Sequence, residues 1–322
     1  MSTTESPPSP PPTQGSAVSA NTSKLGDRIF GGLSLGAGLL ILVTLAAVAI
    51  FLLTESWSAF TASPSEFDDD QGVFEYVGPL LFGTVWAAIL ALVIAVPLAV
   101  AVALFISHYA PKRLAVTLGY FVDLLAAIPS VVFGLWGIAV LAPILADSLF
   151  PWLEDNLGFV PFFAGPASTS GRTMLTAAVV LAVMILPIIT AISREVFLQT
   201  PRLHEEASLA LGATKWEMIR QAVIPYGRSG VISGAMLGLG RALGETMAVA
   251  MILSGSNIYT WDIISNQNSN TIAANIALKF PESTGLDINR LLATGLVLFA
   301  LTFLVNALAR RIANAGFSGA DG

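Results

Sequence analysis

The chain has 322 residues, of which 55% are hydrophobic and only 11% are charged; its mean hydropathy is +0.76 and its formal net charge −6. A soluble domain is typically about 25% charged, so the composition indicates an integral membrane protein. The chain has no cysteine and only two histidines, which excludes disulfides, thiol catalysis and cysteine-based metal sites and argues against a histidine-rich one.

The chain begins with a tail, residues 1–23, that is rich in Ser, Pro and Thr and is expected to be disordered and cytoplasmic. A transmembrane domain is expected over residues 24–315, followed by a short C-terminal tail over 316–322. Six apolar segments in this domain are each long enough to cross a hydrocarbon core of about 30 Å. Their approximate ranges are 29–53, 77–106, 114–145, 173–192, 231–253 and 291–309. Pro97, Pro129 and Pro143 are expected to kink or break the second and third spans.

Lysine and arginine are distributed unequally between the two sides of these spans. Eleven of the fifteen lie in the N-terminal tail, the second–third loop, the fourth–fifth loop and the C-terminus. Three lie on the other side, namely Arg172, Lys279 and Arg290. Because basic residues concentrate in cytoplasmic loops, both termini are expected to be cytoplasmic. The expected fold class is therefore an all-α, multi-pass protein of the cell membrane with six transmembrane helices.

The longest cytoplasmic loop, residues 193–230, carries the signals of two short helices. The Thr-Pro pair at 200–201 suits a helix start, because threonine can cap it and the missing N–H of proline costs nothing there. The first helix is expected to stop at Gly212. The spacing of Thr and Glu at 214–217 predicts a capping box for a second helix that ends before Pro225. Such a projection suits docking into a groove of a partner, although a surface hairpin that only orders the loop is equally compatible with the pattern.

This loop resembles the EAA loop of ABC-importer permeases, which reads Glu-Ala-Ala, three residues, Gly, nine residues, Ile, one residue, Leu-Pro. The matching residues here are Glu206-Ala207-Ser208, Gly212, Ala222 and Ile224-Pro225. The sequence departs from the pattern at Ser208, Ala222 and Ile224, while the spacing is intact.

The resemblance implies that Glu206, Ala207, Gly212 and Pro225 couple this chain to an ATPase subunit, because in that family the loop is seated in the ATPase. None of the four lysines follows a glycine, so the chain has no Walker A loop. ATP and Mg²⁺ are therefore expected on the partner ATPase, and no cofactor is expected on this chain.

Two further stretches narrow the resemblance. DLLAAIPSVVFGLWG at 123–137 and IPYGRSGVISGAMLGLGRALGETMAVAMI at 224–252 are similar to the C-type permease subunits (PstC) of phosphate ABC importers, within the binding-protein-dependent transport permease family. The resemblance covers roughly residues 24–315. It implies a type I ABC importer permease-like fold with a cytoplasmic coupling helix. The implied partners are a second homologous permease subunit, two ATPase subunits, an extracytoplasmic phosphate-binding protein and membrane lipid, but no nucleic acid.

The fifth apolar span contains two charged residues, Arg241 and Glu245. Arg241 lies about ten residues into the span, near the bilayer middle at 1.5 Å rise per residue, and Glu245 follows one turn later on the same face. A charge at that depth costs about 2.5–3.5 kcal/mol on insertion scales, and such residues face the bundle interior or a water-filled cavity, usually as pairs. Asp123, about ten residues into the third span, is a third candidate.

We interpret these residues as part of a path for an anion. The guanidinium of Arg241 can donate two parallel hydrogen bonds to an oxyanion, and Glu245 is expected to pair with it when no anion is present. A purely structural ion pair that locks helices together is the alternative. Asp123 is expected to pair with an arginine or to lie near the membrane interface.

The resemblance implies the function of a permease subunit of an ATP-driven phosphate importer, forming half of the translocation pathway and performing no bond chemistry. A permease for another oxyanion, such as sulfate or molybdate, is the alternative within the class. A self-contained secondary transporter or channel would need internal inverted repeats, and no convincing pair is visible. A membrane-embedded enzyme would need His, Asp or Glu clustered near one face, and only Arg241, Glu245 and Asp123 are available.

Overall fold

The computed structural model describes residues 23–67 and 69–315, with side chains from 26 to 311. The predicted tails therefore lie outside the described residues, apart from Ser23, as does Asp68 in the first loop, between the first two predicted spans. The chain divides at Ile50 into two units. The first ends within an apolar helix, and the second starts at Phe51.

The structure is almost entirely helical, and its helices are numbered here in chain order. They are α1 (Ser23–Thr61), α2 (Val73–Leu104), α3 (Lys112–Ala126), α4 (Ser130–Leu157), α5 (Met174–Leu198), α6 (Arg202–Ala210), α7 (Lys215–Met218), α8 (Ile224–Leu243), α9 (Met247–Ile252), α10 (Ile272–Lys279) and α11 (Leu286–Ala315). A π-helical turn, Phe105–Tyr109, prolongs α2, and another, Ile219–Val223, joins α7 to α8. Two strands of two residues, β1 (Gly255–Ser256) and β2 (Asn268–Ser269), pair in parallel.

Within the described residues, five helices are long and apolar enough to cross a membrane. They are α1, the prolonged α2, α4, α5 and α11. The predicted fifth span, 231–253, differs from the structure: its residues are divided between α8 and α9, with a non-helical break at 244–246. The break contains Gly244, a residue type of low helix propensity. It also contains Glu245, whose carboxylate accepts a hydrogen bond from the Ala248 N–H of the next helix.

The predicted third span, 114–145, also differs from the structure. The helix that starts at Lys112 ends at Ala126, and α4 begins after Pro129 and continues to Leu157. Proline disfavours helical backbone in the residue before it and lacks the N–H that would continue the ladder, so Pro129 separates the two helices. Pro97 and Pro143, by contrast, lie inside continuous helices.

Helices α2 and α5 form the centre of the second unit. Alanines recur every four residues on one face of α2, and all of them are buried: Ala87, Ala91, Ala95, Ala99 and Ala103. Small residues at this interval let two helix backbones approach closely. The α5 side chains buried in the same cluster are large, as in Met184, Ile185 and Ile189. The Thr190 hydroxyl of α5 donates to the Ala99 carbonyl across this interface.

Helix α8 packs on α5 by the same principle. A Cβ added at Gly234 would lie 3.3 Å from Ile192, and one added at Gly238 would lie 3.0 Å from Ile189. These glycines therefore serve close packing within the chain. The adjacent Gly240 has no atom within 4 Å of an added Cβ, so it lies on a different, open face of α8.

The two ends of α2 orient the bundle. Its C-terminal extension contacts the loop at 193–230, and we call this the coupling end. Its N-terminus lies beside the buried Arg290 of α11, whose guanidinium hydrogen-bonds Asp69 and the Gln71 carbonyl and lies 3.0 Å from Asp287. Helix α11 therefore starts at the end opposite the coupling end and runs toward it.

Candidate functional site

Arg241 lies in the last turn of α8, and its side chain is half-buried. It lines a cavity of about 540 Å³ between α8 and α11, which we call the arginine groove. Among the residues that line this groove are Ile232, Ser233, Gly240 and Arg241 of α8 and Asn306 and Arg310 of α11. The Arg241 side chain therefore faces an accessible space between the two helices.

Glu245 lies beyond the end of α8 and is only 8% exposed. Its Oε1 accepts a hydrogen bond of 3.0 Å from the backbone N–H of Ala248 in the first turn of α9. The carboxylate therefore satisfies one of the free N–H groups at a helix start. A negative charge is also favourable at this end of a helix dipole.

The predicted ion pair between Arg241 and Glu245 is absent: within the described part of the chain, neither side chain has an ion-pair partner within 4.0 Å. The prediction assumed one continuous helix, in which residues four apart share a face. The break at 244–246 removes that relation and directs Glu245 toward α9. The guanidinium of Arg241 makes no hydrogen bond to any described residue either, so its donors are free to meet a ligand in the groove.

Asp123 is exposed on α3 and has no ion-pair partner among the residues that the structure describes. It does not line the arginine groove. The predicted pairing of Asp123 with an arginine is therefore not found. The neighbouring arginine, Arg194 of α5, instead lies against Gly119, one turn before Asp123 on α3.

The loop at 193–230, which we call the coupling loop, has the two helices that the sequence predicts, α6 and α7. Helix α6 ends in a left-handed residue, Gly212, with a φ of +86°. The N–H of Gly212 donates to the Leu209 carbonyl, and the N–H of Ala213 donates to the Ser208 carbonyl. These two bonds form a Schellman motif, which satisfies carbonyls at the helix end.

The predicted capping box at the start of α7 is present. The Thr214 N–H donates to Glu217 Oε2 at 2.7 Å, and the Glu217 N–H donates to the Thr214 hydroxyl at 3.4 Å. The Thr214 hydroxyl also donates to Glu217 Oε2 at 2.7 Å, and the two bonds that Thr214 donates to this carboxylate, from its backbone N–H and its hydroxyl, lower the pKa of Glu217. The turn between α6 and α7 at 211–214, which we call the elbow, is therefore built from local hydrogen bonds.

Two details of the loop differ from the prediction. The Thr200 hydroxyl does not cap α6; it is buried without a hydrogen-bond partner among the described residues, and Pro201 takes the capping position. Pro225 does not end a helix, because the chain stays helical through it. The π-helical turn before it, closed by the Ile224 N–H on the Ile219 carbonyl, places proline in the first turn of α8, where its N–H is not needed.

The coupling loop is tied to the end of α2 by two contacts that the sequence analysis missed. His108 Nε2 lies 3.5 Å from Glu205 Oε1 of α6. Lys215 Nζ of α7 lies 4.8 Å from the centre of the Tyr109 ring. Phe197, Met218 and Ile219, which belong to the loop, are buried together in one apolar cluster. These contacts join both short helices to the helix at the centre of the bundle.

The outer surface of the loop is exposed and partly apolar. Glu206, Ala207 and Gly212 are exposed. Leu211, in the elbow, is 90% exposed, and Leu203 and Trp216 are also exposed. Large apolar side chains exposed beside polar ones are typical of a protein interaction site, which supports a docking surface over a hairpin that only orders the chain.

Arg310 and Asn306 are groove residues that the sequence analysis did not single out. Arg310 was counted only as one of the basic residues at the C-terminus. The available signal was the spacing: Asn306 and Arg310 are four residues apart, and so share a face at the end of an otherwise apolar helix.

Residues 95–315 match the family described as binding-protein-dependent transport system inner membrane component. The chain is 46% identical over 316 residues to the phosphate transport system permease protein PstC 2 of Mycobacterium tuberculosis, covering 94% of this chain and 96% of that protein. It is 42% identical over 315 residues to PstC of Mycobacterium leprae, covering 94% and 98%. It is 40% identical over 296 residues to PstC of Mesorhizobium japonicum, covering 89% of each.

Two solved structures resemble the fold. A bacterial ABC transporter involved in the import of the acidic polysaccharide alginate gives a TM-score of 0.58 at 17% identity, covering 89% of this chain and 97% of that one. The inward-facing MetNI methionine ABC transporter gives a TM-score of 0.50 at 19% identity, covering 76% and 95%.

Proposed function

Since this chain belongs to the family of binding-protein-dependent transport system inner membrane components, we propose that it is a permease subunit of an ATP-driven phosphate importer. Its relatives at 40–46% identity over most of the chain bear the name of phosphate transport permeases. The expected fold, that of a type I ABC importer permease, is confirmed by the family and by the structural neighbours. The chain is a transporter subunit of the inner membrane, not itself an enzyme.

The proposed complex contains three further kinds of protein that this chain must contact. A second homologous permease completes the pathway, and an extracytoplasmic binding protein delivers phosphate. Two ATPase subunits bind Mg²⁺ and ATP and close against the coupling loop, which carries Glu206, Ala207 and Gly212. The exposed apolar surface at Leu211 supports this docking. The excess of basic residues at the coupling end supports placing that end and both termini in the cytoplasm.

The observation that carries the proposed substrate path is the unpaired guanidinium of Arg241 in the arginine groove. An arginine with free donors in a partly desolvated space attracts an anion that presents several oxygens, and phosphate is such an anion. Glu245 supports the path indirectly, by fixing the start of α9 immediately after the arginine. A role for Asp123 stays a prediction without a supporting contact in this chain.

Sulfate or molybdate would suit the same guanidinium chemistry. The names of the relatives favour phosphate over these anions. Competition of unlabelled sulfate and molybdate against labelled phosphate in the assay below would measure the preference directly.

The test is phosphate uptake by the assembled complex in proteoliposomes. Arg241→Ala is expected to lower ATP-driven uptake about a hundredfold, the factor that corresponds to losing two charge-assisted hydrogen bonds. Arg241→Lys, which keeps the charge but loses the planar fork, is expected to lie between Arg241→Ala and the wild type.

Arg113→Ala is the control, because it removes an exposed arginine of α3 that lies outside both the groove and the loop at 193–230. Wild-type uptake by an Arg241→Ala complex that assembles normally would refute the path role of Arg241.

A further inference from the structure

The arginine groove contains a second guanidinium, which belongs to a different helix. Arg310 of α11 and Arg241 of α8 line the same cavity of about 540 Å³. Within the described residues, no carboxylate lies within 4.0 Å of either guanidinium. Two like charges that share a groove without a neutralising carboxylate favour an anionic ligand between or beside them.

The groove runs lengthwise along the two helices. Ile232 and Arg241 mark its extent on α8, and nine residues of helix correspond to about 13 Å. Helix α8 starts at the coupling end, and α11 runs toward that end from the opposite one. Arg310, which lies 24 residues after the first residue of α11, is therefore near the coupling end, whereas Arg241 lies further from it.

Uncharged hydrogen-bonding groups line the groove beside the two arginines. Ser233 contributes a hydroxyl and Asn306 an amide. Asn306 precedes Arg310 by one turn and therefore shares its face of α11. Gly240 leaves the wall beside Arg241 open, since an added Cβ there would meet no atom within 4 Å. The groove thus combines charged and neutral donors with space, which is the chemistry that a tetrahedral oxyanion requires.

We propose that Arg310, together with Asn306, forms a second oxyanion-binding site, which we call the station. Phosphate moves to it from Arg241 as it travels toward the coupling end. The proposal rests on the proposed function, because it places the station on the path of the same substrate. Two moderate sites in series conduct better than one strong site, since the anion must be able to leave each of them. The ordinary alternative for an arginine at the end of a membrane helix is contact with the phosphate group of a lipid.

Comparison with the adjacent Arg311 distinguishes transported inorganic phosphate from lipid phosphate as the ligand of Arg310. It has the same charge, lies at the same end of the same helix and is exposed, but it does not line the groove. A lipid-anchoring role would be shared by both arginines, whereas a station on the path belongs to Arg310 alone.

The test compares Arg310→Gln and Arg311→Gln in the assembled complex, with inorganic phosphate as the probe and vesicles of either zwitterionic lipid alone or zwitterionic lipid mixed with anionic lipid. Arg310→Gln is expected to slow ATP-driven uptake about tenfold in both kinds of vesicle, the factor for one charge-assisted hydrogen bond. Arg311→Gln is expected to match the wild type.

Equal rates for both variants, or a defect that appears only with anionic lipid, would overturn the proposal and assign Arg310 to lipid. If Arg310→Gln does not assemble, Asn306→Ala carries the same expectation of slowed uptake, and wild-type uptake by it would overturn the station. A wild-type complex that transports no phosphate would contradict the proposed function itself, a result distinct from normal transport by the Arg310 variant.

Discussion

The carboxylate of Glu245 stabilises the backbone of the helix that follows it. Its hydrogen bond to the Ala248 N–H holds the start of α9 immediately after the break in the chain. Arg241 lies at the C-terminal end of α8, where a positive charge is favoured by the helix dipole, and Glu245 precedes the N-terminal end of α9, where a negative charge is favoured. Each charge thus gains stability from a helix end and needs no ion pair with the other.

Replacement of Glu245 by alanine is expected to destabilise the protein by about 1–2 kcal/mol, because the helix start loses its hydrogen-bond acceptor. Glu245→Gln keeps an acceptor oxygen at the same position and is expected to recover most of that loss. The measurements are the thermal unfolding midpoint of the purified complex and the hydrogen exchange rate of the Ala248 amide. If the Gln and Ala variants exchange at the same rate, the capping role is wrong and the charge alone matters.

Helix α6 and the elbow after it are specified by local chemistry. The positive φ of Gly212 and the Thr214–Glu217 capping box are both set by backbone hydrogen bonds within a few residues. The break at Pro129 has the same local origin. The division of the fifth span into α8 and α9 does not follow from any one residue, because glycine and a carboxylate are each tolerated inside helices.

Gly212 is expected to be sensitive to backbone strain rather than to bulk. A Cβ at Gly212 would meet no atom within 4 Å, yet left-handed backbone costs other residues about 1–2 kcal/mol. Gly212→Ala is therefore expected to reduce the phosphate transported per ATP hydrolysed more than Gly212→Asn does, because asparagine tolerates this conformation.

Comparison of the Gly212→Ala and Gly212→Asn variants also shows whether backbone strain or contact with the ATPase causes the transport defect. A larger defect in the asparagine variant would mean that side-chain bulk at the docking surface is the cause, and the strain argument would then be wrong.

At the scale of the whole molecule, the end opposite the coupling end is held by one buried cation. Arg290 is only 6% exposed. Its ion pair with Asp69 joins the first loop to the start of α11, and its ion pair with Asp287 lies within α11. Its guanidinium also lies over the rings of Phe67 and Tyr76, at 4.7 and 4.2 Å. Partial burial by itself would raise the pKa of Asp69, but the hydrogen bond and the charge of Arg290 outweigh it and lower that pKa below its ordinary value of 3.8.

This shift predicts acid sensitivity. A carboxyl whose pKa is lower in the folded state contributes stability above its unfolded-state pKa, and that contribution is lost as the pH falls through its folded-state pKa. Asp69→Asn is therefore expected to lower the unfolding midpoint of the complex at neutral pH and to have a diminishing effect as the pH falls below 3.8. Asp155→Asn, an exposed residue of α4 outside this cluster, is the control. An Asp69→Asn effect of constant size across this range would contradict the prediction.

The sequence by itself determined the features whose causes lie within a few residues or in bulk composition: the apolar helices, the break at Pro129, the glycine elbow and the capping box. The tertiary structure alone decided that Glu245 turns away from Arg241, that Asp123 has no arginine partner within the chain, and that Arg310 shares the groove with Arg241. The reason is that these relations depend on which faces of distant helices meet. The close packing of α2 and α8 on α5 selects those faces, and residue spacing along one helix carries no information about the helix opposite.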